Sequence, residues 1–343
     1  MLDGWRALSI LLVLSAHMLP LGPKRWELNE PAGVLGMAVF FCLSGFLIVR
    51  MLLRDATIST FLIRRFARIL PLAWTALALG FAIYGASGAA WVANFLFYAN
   101  LPPFMLEPRT SHFWSLDVEL QFYIGIALAV LLGRSRALWL VPVATLAVTL
   151  LRIQTGTLTS IVTWLRVDEI LAGGCLAIVI HCTRDGAFAR APLRLPFWPI
   201  AFLFVLSSDA RFLALDYIRP YLAAITVGVT IVRPVSGVTR LLQSRIMAYV
   251  ASVSYAVYII HHFTIFGWLS SGPTMMRYAK RPLAFAVTFG LAHLSTFYFE
   301  RPITNWVHRL TRPKCRGTDL EPGSGQIDET PTDQNARSAA AKQ

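Results

Sequence analysis

The chain has 343 residues, 56% of them apolar and only 14% charged, against roughly a quarter charged in a soluble domain. A mean hydropathy of +0.58 excludes an ordinary soluble enzyme and predicts an integral membrane protein. The net charge of +13 is read most simply as the Lys/Arg bias of cytoplasmic loops, so no nucleic-acid partner is expected. Four scattered cysteines, Cys42, Cys175, Cys182 and Cys315, give neither a disulfide framework nor metal-ligand spacing, and no metal is expected.

Apolar runs fall at about 5–21, 33–53, 69–86, 90–106, 117–133, 137–152, 161–181, 196–208, 217–232, 247–269 and 282–299. The first has the look of a signal-peptide core at Leu8 to Leu14, but it continues through His17 without a cleavage site and is read as the first membrane helix. Basic clusters lie between the runs: Arg50, Arg54, Arg64, Arg65 and Arg68; Arg134 and Arg136; Arg184, Arg190 and Arg194; Arg233, Arg240 and Arg245; Arg301, Arg309, Arg312, Lys314 and Arg316. All five share one side only if the 90–106 run, which ends in Leu101-Pro102-Pro103, stays out of the bilayer.

The expectation is therefore an all-α bundle of about ten transmembrane helices over 1–311, with both termini cytoplasmic and no separate soluble domain. Arg277, Lys280 and Arg281 fall on the outer side in this arrangement. The polar segment 312–343 lacks any apolar period and is expected to be a disordered cytoplasmic tail. No internal repeat is legible.

Ionisable groups at the centre of a membrane helix cost about 2.5–3.5 kcal/mol on insertion, so those in the runs are the candidates for function. The first run holds Asp3, Arg6 and His17. The spacing from Arg6 to His17 is about three helical turns, roughly 16 Å, which puts both on one face with Arg6 near the cytoplasm and His17 near the outer surface. The structural alternatives are interfacial charges and a satisfied core histidine. Arg64, Arg65 and Arg68 have the i, i+4 spacing that suits phosphate groups, and equally a positive-inside anchor or a lipid headgroup site.

In Trp114-Ser115-Leu116-Asp117-Val118-Glu119, Asp117 reads as a helix cap, whereas Glu119 precedes a long apolar run. A carboxylate there suits orienting an imidazole base, or pairing with an arginine. Arg166 and Asp168 are placed to line an outer cavity, and Gly173-Gly174 to let helices pack closely. His261 and His262 point about 100° apart on a helix, so at most one is expected to face a given site. These buried charges also fit a proton-coupled transporter or flippase.

Taken in order, these segments resemble the acyltransferase-3 family of membrane O-acyltransferases, which modify surface and exported carbohydrates. The resemblance rests on Leu2-Asp3-Gly4-Trp5-Arg6 with His17, Phe40-Phe41-Cys42-Leu43-Ser44-Gly45-Phe46, and Arg64-Arg65-Phe66-Ala67-Arg68-Ile69-Leu70-Pro71. It continues through Trp114-Ser115-Leu116 to Tyr123, Arg166 to Gly173, Ser254-Tyr255 to His261, and Phe299-Glu300-Arg301-Pro302. It implies ten helices in a bacterial cytoplasmic membrane, an acyl-CoA donor, usually acetyl-CoA, and a carbohydrate or glycoconjugate acceptor, with membrane lipids as the surroundings.

Carried over by residue, the resemblance implies that Arg6 and His17 are its functional pair and Glu119 its motif carboxylate. With the orientation added, the three are expected to be catalytic, His17 either as general base oriented by Glu119 or as the nucleophile of an acyl-histidine intermediate, between which the sequence does not choose. Arg64, Arg65 and Arg68 would then hold the CoA, and Asp3, Trp114, Ser115, Arg166, Asp168 and His261 the acceptor side. Two positions depart from the pattern, Asp117 where serine is common and Leu120 where a second glutamate is common, so an acidic pair is not required. Longer members carry a fused esterase-like domain for which the apolar length here leaves no room, so this chain would complete the transfer itself or hand over to a partner. Oligomeric state is not legible.

Overall fold

The structure is a computed structural model that describes residues 1–54, 57–182 and 193–311. The expected tail 312–343, with Arg312, Lys314, Cys315 and Arg316, lies outside the described residues, as do Arg184 and Arg190. The described residues form α1 (Leu2–Met18), α2 (Asn29–Arg54), α3 (Ile58–Tyr84), α4 (Gly88–Phe95), α5 (Trp114–Gly133), α6 (Val141–Thr155) and α7 (Asp168–Cys182). They continue as α8 (Phe197–Leu206), α9 (Leu213–Asp216), α10 (Arg219–Val232), α11 (Ser236–Leu242), α12 (Arg245–Ile265), α13 (Thr274–Leu294) and α14 (Arg301–Leu310), joined by short 3-10 turns and one π-helical segment, with no strand.

Among the described residues, five helical segments are long and apolar enough to cross a membrane: Asn29–Arg54, Ile58–Tyr84, Ser111–Thr155, Arg245–Ile265 and Thr274–Leu310. The number rises to seven if two pairs bent by 98° and 96°, Phe197–Leu206 with Ala210–Asp216 and Arg219–Val232 with Ser236–Leu242, each count as one span. The lower figure than ten has a physical origin. Helices α1 and α7 have only 17 and 15 residues, and two apolar runs fuse into Ser111–Thr155, divided by the 3-10 turn Arg134–Leu140. The apolar run at 90–106 forms only the eight-residue α4 and a turn. That helix rises about 12 Å, far short of the ~30 Å hydrocarbon core.

Helix α2 sits at the centre, with Phe41, Cys42, Phe46, Ile48 and Val49 wholly buried. It crosses α7 at backbone contact: a Cβ on Gly45 would lie 1.7 Å from the Ile170 carbonyl oxygen, and one on Gly173 would lie 1.9 Å from that of Cys42. Neither position admits a side chain, which is how small residues let membrane helices pack. Pro142, Pro220 and Pro302 stand in the first turns of α6, α10 and α14, where the missing amide hydrogen costs nothing. The outward faces of α5, of the 3-10 turn after it and of α6 leave Leu132, Leu140, Val143 and Leu146 exposed, as a lipid-facing surface requires. On α13, Lys280 donates to the Trp268 and Ser271 carbonyls at 3.0 and 3.2 Å and so fastens the preceding turn.

Candidate functional site

Two cavities meet inside the bundle, with Val13, Met37 and Tyr258 as walls common to both. The first is slim, about 70 Å³, and is lined by Arg6 of α1, Ser44 of α2, Arg65 and Arg68 of α3, and Ser115, Glu119 and Tyr123 of α5. The second is roomier, about 510 Å³, and is lined by His17, Glu30, His112, Trp114, Arg166 and His262. Arg6 and His17 thus stand in different cavities, as their spacing on one helix predicts.

In the slim cavity Glu119 is held by its own neighbours. Its Oε1 accepts from Ser44 Oγ at 2.6 Å and from the Tyr123 hydroxyl. The expected pairing of Glu119 with His17 is therefore corrected: the carboxylate clamps α2 to α5, while His17 finds another partner. Arg65 lies over the Tyr123 ring at 5.9 Å. Of the three arginines of α3, Arg64 turns away and donates from Nε to Thr311 Oγ1 at 2.8 Å and from Nη2 to the Thr311 carbonyl at 3.1 Å. The cavity receives only Arg65 and Arg68, joined by Arg6. Asp3 is exposed and 3.7 Å from Arg6, and it lines neither cavity.

Where the cavities meet, Tyr258 hydrogen-bonds Ser115 Oγ at 2.5 Å, donates to the His112 carbonyl and stacks on Phe40. Asp117 is fully buried and accepts from the Asn100 amide at 3.1 Å. Gln121 donates to the Phe97 carbonyl and to Asn100 Oδ1, so one face of α5 pins the turn that follows α4. Asp117 is thus an anchor for the turn after α4 and not the helix cap expected of it, since no side chain caps the start of α5.

His17 occupies the last turn of α1, and Asn29 at the start of α2 closes that end by donating to the Ala16 and Leu19 carbonyls at 2.7 and 2.6 Å. His17 Nδ1 faces His261 Nε2 at 3.1 Å, with the two rings stacked at 5.2 Å, and His262 meets the His17 ring edge-on at 5.5 Å. Both histidines of the pair therefore flank His17. Only His262 also lines the roomier cavity, in line with the expectation that at most one faces a given site, and the expected acceptor-side place of His261 is corrected, because it is fully buried and lines neither cavity. A fourth imidazole, His112, approaches His262 to 4.3 Å between ring centres.

Backbone carbonyls fix the tautomers. His261 Nδ1 bonds the Tyr258 carbonyl at 2.6 Å, His262 Nδ1 that of Arg109 at 3.3 Å, and His112 Nε2 that of Ile259 at 3.2 Å. A carbonyl only accepts, so these nitrogens are the donors, and in the neutral ring the lone pair falls to His261 Nε2, His262 Nε2 and His112 Nδ1. His17 Nδ1 then donates to His261 Nε2, which leaves the lone pair of His17 on Nε2.

Arg166 is buried and lines the roomier cavity, its guanidinium 5.6 Å from the Trp114 ring centre. Asp168 does not join it. It accepts from Arg152 Nη1 at 2.6 Å and opens a buried chain of alternating charge: Arg152 continues to Asp216 at 2.5 Å, Asp216 to Arg219, Arg219 to Glu169 at 2.9 Å, and Glu169 to Arg166 at 3.4 Å. The expectation that Asp168 lines the cavity is corrected, since three arginines and three carboxylates neutralise one another there. Sequence reasoning missed Arg152, Asp216, Arg219 and His112. They come from distant helices and turns, and only the cost of an unpaired charge in an apolar segment hinted that partners had to exist.

A family model described as an acyltransferase domain, of the acyltransferase-3 type, matches residues 1–301. The chain belongs to the acyltransferase-3 family. Among curated members, the peptidoglycan O-acetyltransferase OatA of Listeria monocytogenes is 24% identical over 88% of this chain and 55% of its own length. A putative O-acetyltransferase of Staphylococcus aureus is 30% identical over 36% of this chain and 23% of its own. This acyltransferase-3 chain thus spans about half the length of the Listeria protein. No solved structure matches it.

Proposed function

We propose that this chain is a multi-pass O-acetyltransferase of the bacterial cytoplasmic membrane, with about ten crossings and both termini cytoplasmic, moving an acetyl group from cytoplasmic acetyl-CoA to a hydroxyl of a sugar or glycan. The observation that carries this reading is the pair of cavities sharing Val13, Met37 and Tyr258, with arginines in one and, in the other, His17, itself hydrogen-bonded to the buried His261. Arg65 and Arg68, with Arg6, bind the phosphates of CoA. The slender pantetheine arm carries the thioester through the slim cavity to Tyr258, and CoA never leaves the cytoplasmic side.

His17 is the general base, and His261 is the positioning residue that holds its tautomer. As the acceptor oxygen attacks the thioester carbonyl carbon, its proton passes to His17 Nε2. The C–S bond then breaks and His17 returns the proton to the departing sulfur. Trp114 and Arg166 line the acceptor cavity, Ser115 sits with Tyr258 beside the reacting carbonyl, and Glu119 keeps the donor cavity in shape. The Listeria relative's named substrate makes a cell-wall or exported glycan the first acceptor to try.

The test is acetyl-CoA consumption by purified protein in nanodiscs, comparing wild type, His17→Ala and the Arg65→Ala/Arg68→Ala double variant. Loss of turnover in the first and of CoA binding in the second is expected, and wild-type turnover in His17→Ala overturns the reading. The rate should also fall on acidification through the pKa of His17, because a protonated ring has no lone pair to accept the proton.

A further inference from the structure

The four histidines form a group that one general base does not require. One ring nitrogen from each of His17, His261 and His262 lies within 4.8 Å of the other two. A tetrahedral zinc site with bonds of about 2.0–2.1 Å sets its nitrogens about 3.3 Å apart, and the His17 Nδ1 to His261 Nε2 distance is already 3.1 Å.

The second observation lies behind the rings. His261 and His262 each donate one nitrogen to a backbone carbonyl and turn the other inward. Metal-binding histidines are held in this way, with the carbonyl setting both tautomer and ring direction. His112 repeats the arrangement: it donates to Ile259, is buried among the others, and its Nδ1 has no hydrogen-bond partner among the described residues. A buried nitrogen left with an unused lone pair is costly unless something binds it. Among the described residues the group contains imidazoles alone, a donor set that suits zinc, copper or nickel and not magnesium or calcium.

We infer that His17, His261 and His262 bind a divalent transition-metal cation of the zinc type, with His112 as a reserve ligand behind them, and that the bound metal switches acyl transfer off. The cation takes the place of the proton shared between His17 Nδ1 and His261 Nε2. That proton moves to His17 Nε2, so His17 holds no lone pair toward an acceptor hydroxyl. The cavity that admits His17 and His262 is the entry path. Binding of the metal is independent of the proposed function, whereas the block rests on His17 being the base.

The experiment uses metal-stripped full-length protein in nanodiscs, with cobalt(II) absorption and zinc stoichiometry by elemental analysis as readouts, followed by acetyl-CoA consumption with and without zinc. One metal per chain is expected, unaffected by excess magnesium, weakened at least tenfold in His262→Gln and in His261→Gln, and weakened on acidification because the ligating nitrogens must be unprotonated. A zinc-dependent rise in melting temperature in wild type but not in His262→Gln separates lost ligation from lost folding. Absence of a stoichiometric metal in wild type, or equal binding in both variants, overturns the site. Stoichiometric zinc with undiminished turnover overturns the block and with it the role of His17, while leaving the metal site in place.

Discussion

The ion chain from Asp168 to Arg166 and the histidine group around His17 meet at the roomier cavity, yet they dispose of buried polarity in opposite ways. In the ion chain every charged side chain faces an opposite charge on another turn or helix, and carboxylate and guanidinium alternate until none is left over. In the histidine group the hydrogen bonds go outward to backbone carbonyls, and the lone pairs converge on one another and on the cavity. The first arrangement uses up its chemistry in holding α6, α7 and α10 together. The second keeps lone pairs directed at one another and at the cavity.

Substitutions sharpen the contrast. The largest expected effect is on rate: His17→Ala should lower acetyl transfer by about 10²–10⁴-fold with no change in melting temperature, measured by acetyl-CoA turnover beside thermal unfolding in detergent. The ion chain should show the reverse. Arg219→Ala takes from Asp216 and from Glu169 one of two partners each and leaves the buried chain one negative charge in excess, which should destabilise the fold by about 3–5 kcal/mol, seen as a lowered melting temperature or lost folded yield, and a variant as stable as wild type would break the comparison.

Next in size, Arg68→Ala removes the charged contact to phosphate that the proposed donor site requires, of about 1.5–3 kcal/mol, and should weaken CoA binding by one to two orders of magnitude on titration. Arg64→Ala is its control, because Arg64 is spent on Thr311 and should alter CoA affinity by less than about threefold. Smallest of all, Asp3→Asn removes an exposed charge and should leave both turnover and CoA affinity within about twofold of wild type.

Much of this was legible in the chain. The helical class followed from apolar runs, the opposite placement of Arg6 and His17 from helical rise, and the close crossing at Gly173 from a pair of small residues. The illegible part concerns which polar groups find one another. Glu119 looked like a partner for an imidazole, and it answers instead to Ser44 and to Tyr123 one turn later on its own helix. Asp168 shares the constellation of Arg166 but bonds Arg152 from α6. His112 sits beside His262 although about 150 residues lie between them. Spacing along one helix reports faces, whereas pairing between helices depends on packing that no local pattern encodes.

The walls shared by the two cavities have a further consequence. The proposed transfer from a cytoplasmic donor needs a way through the membrane for a thin acyl arm, and the same opening threatens to short-circuit the ion gradients the membrane maintains. At the junction stand two apolar residues, Val13 and Met37, and a tyrosine whose hydroxyl is already engaged by Ser115 and the His112 carbonyl. Such a lining offers no continuous file of water for protons to hop along. The junction can therefore serve as an insulator as well as a doorway, and enlarging it, for instance by Met37→Gly, should show itself first as proton leak in proteoliposomes.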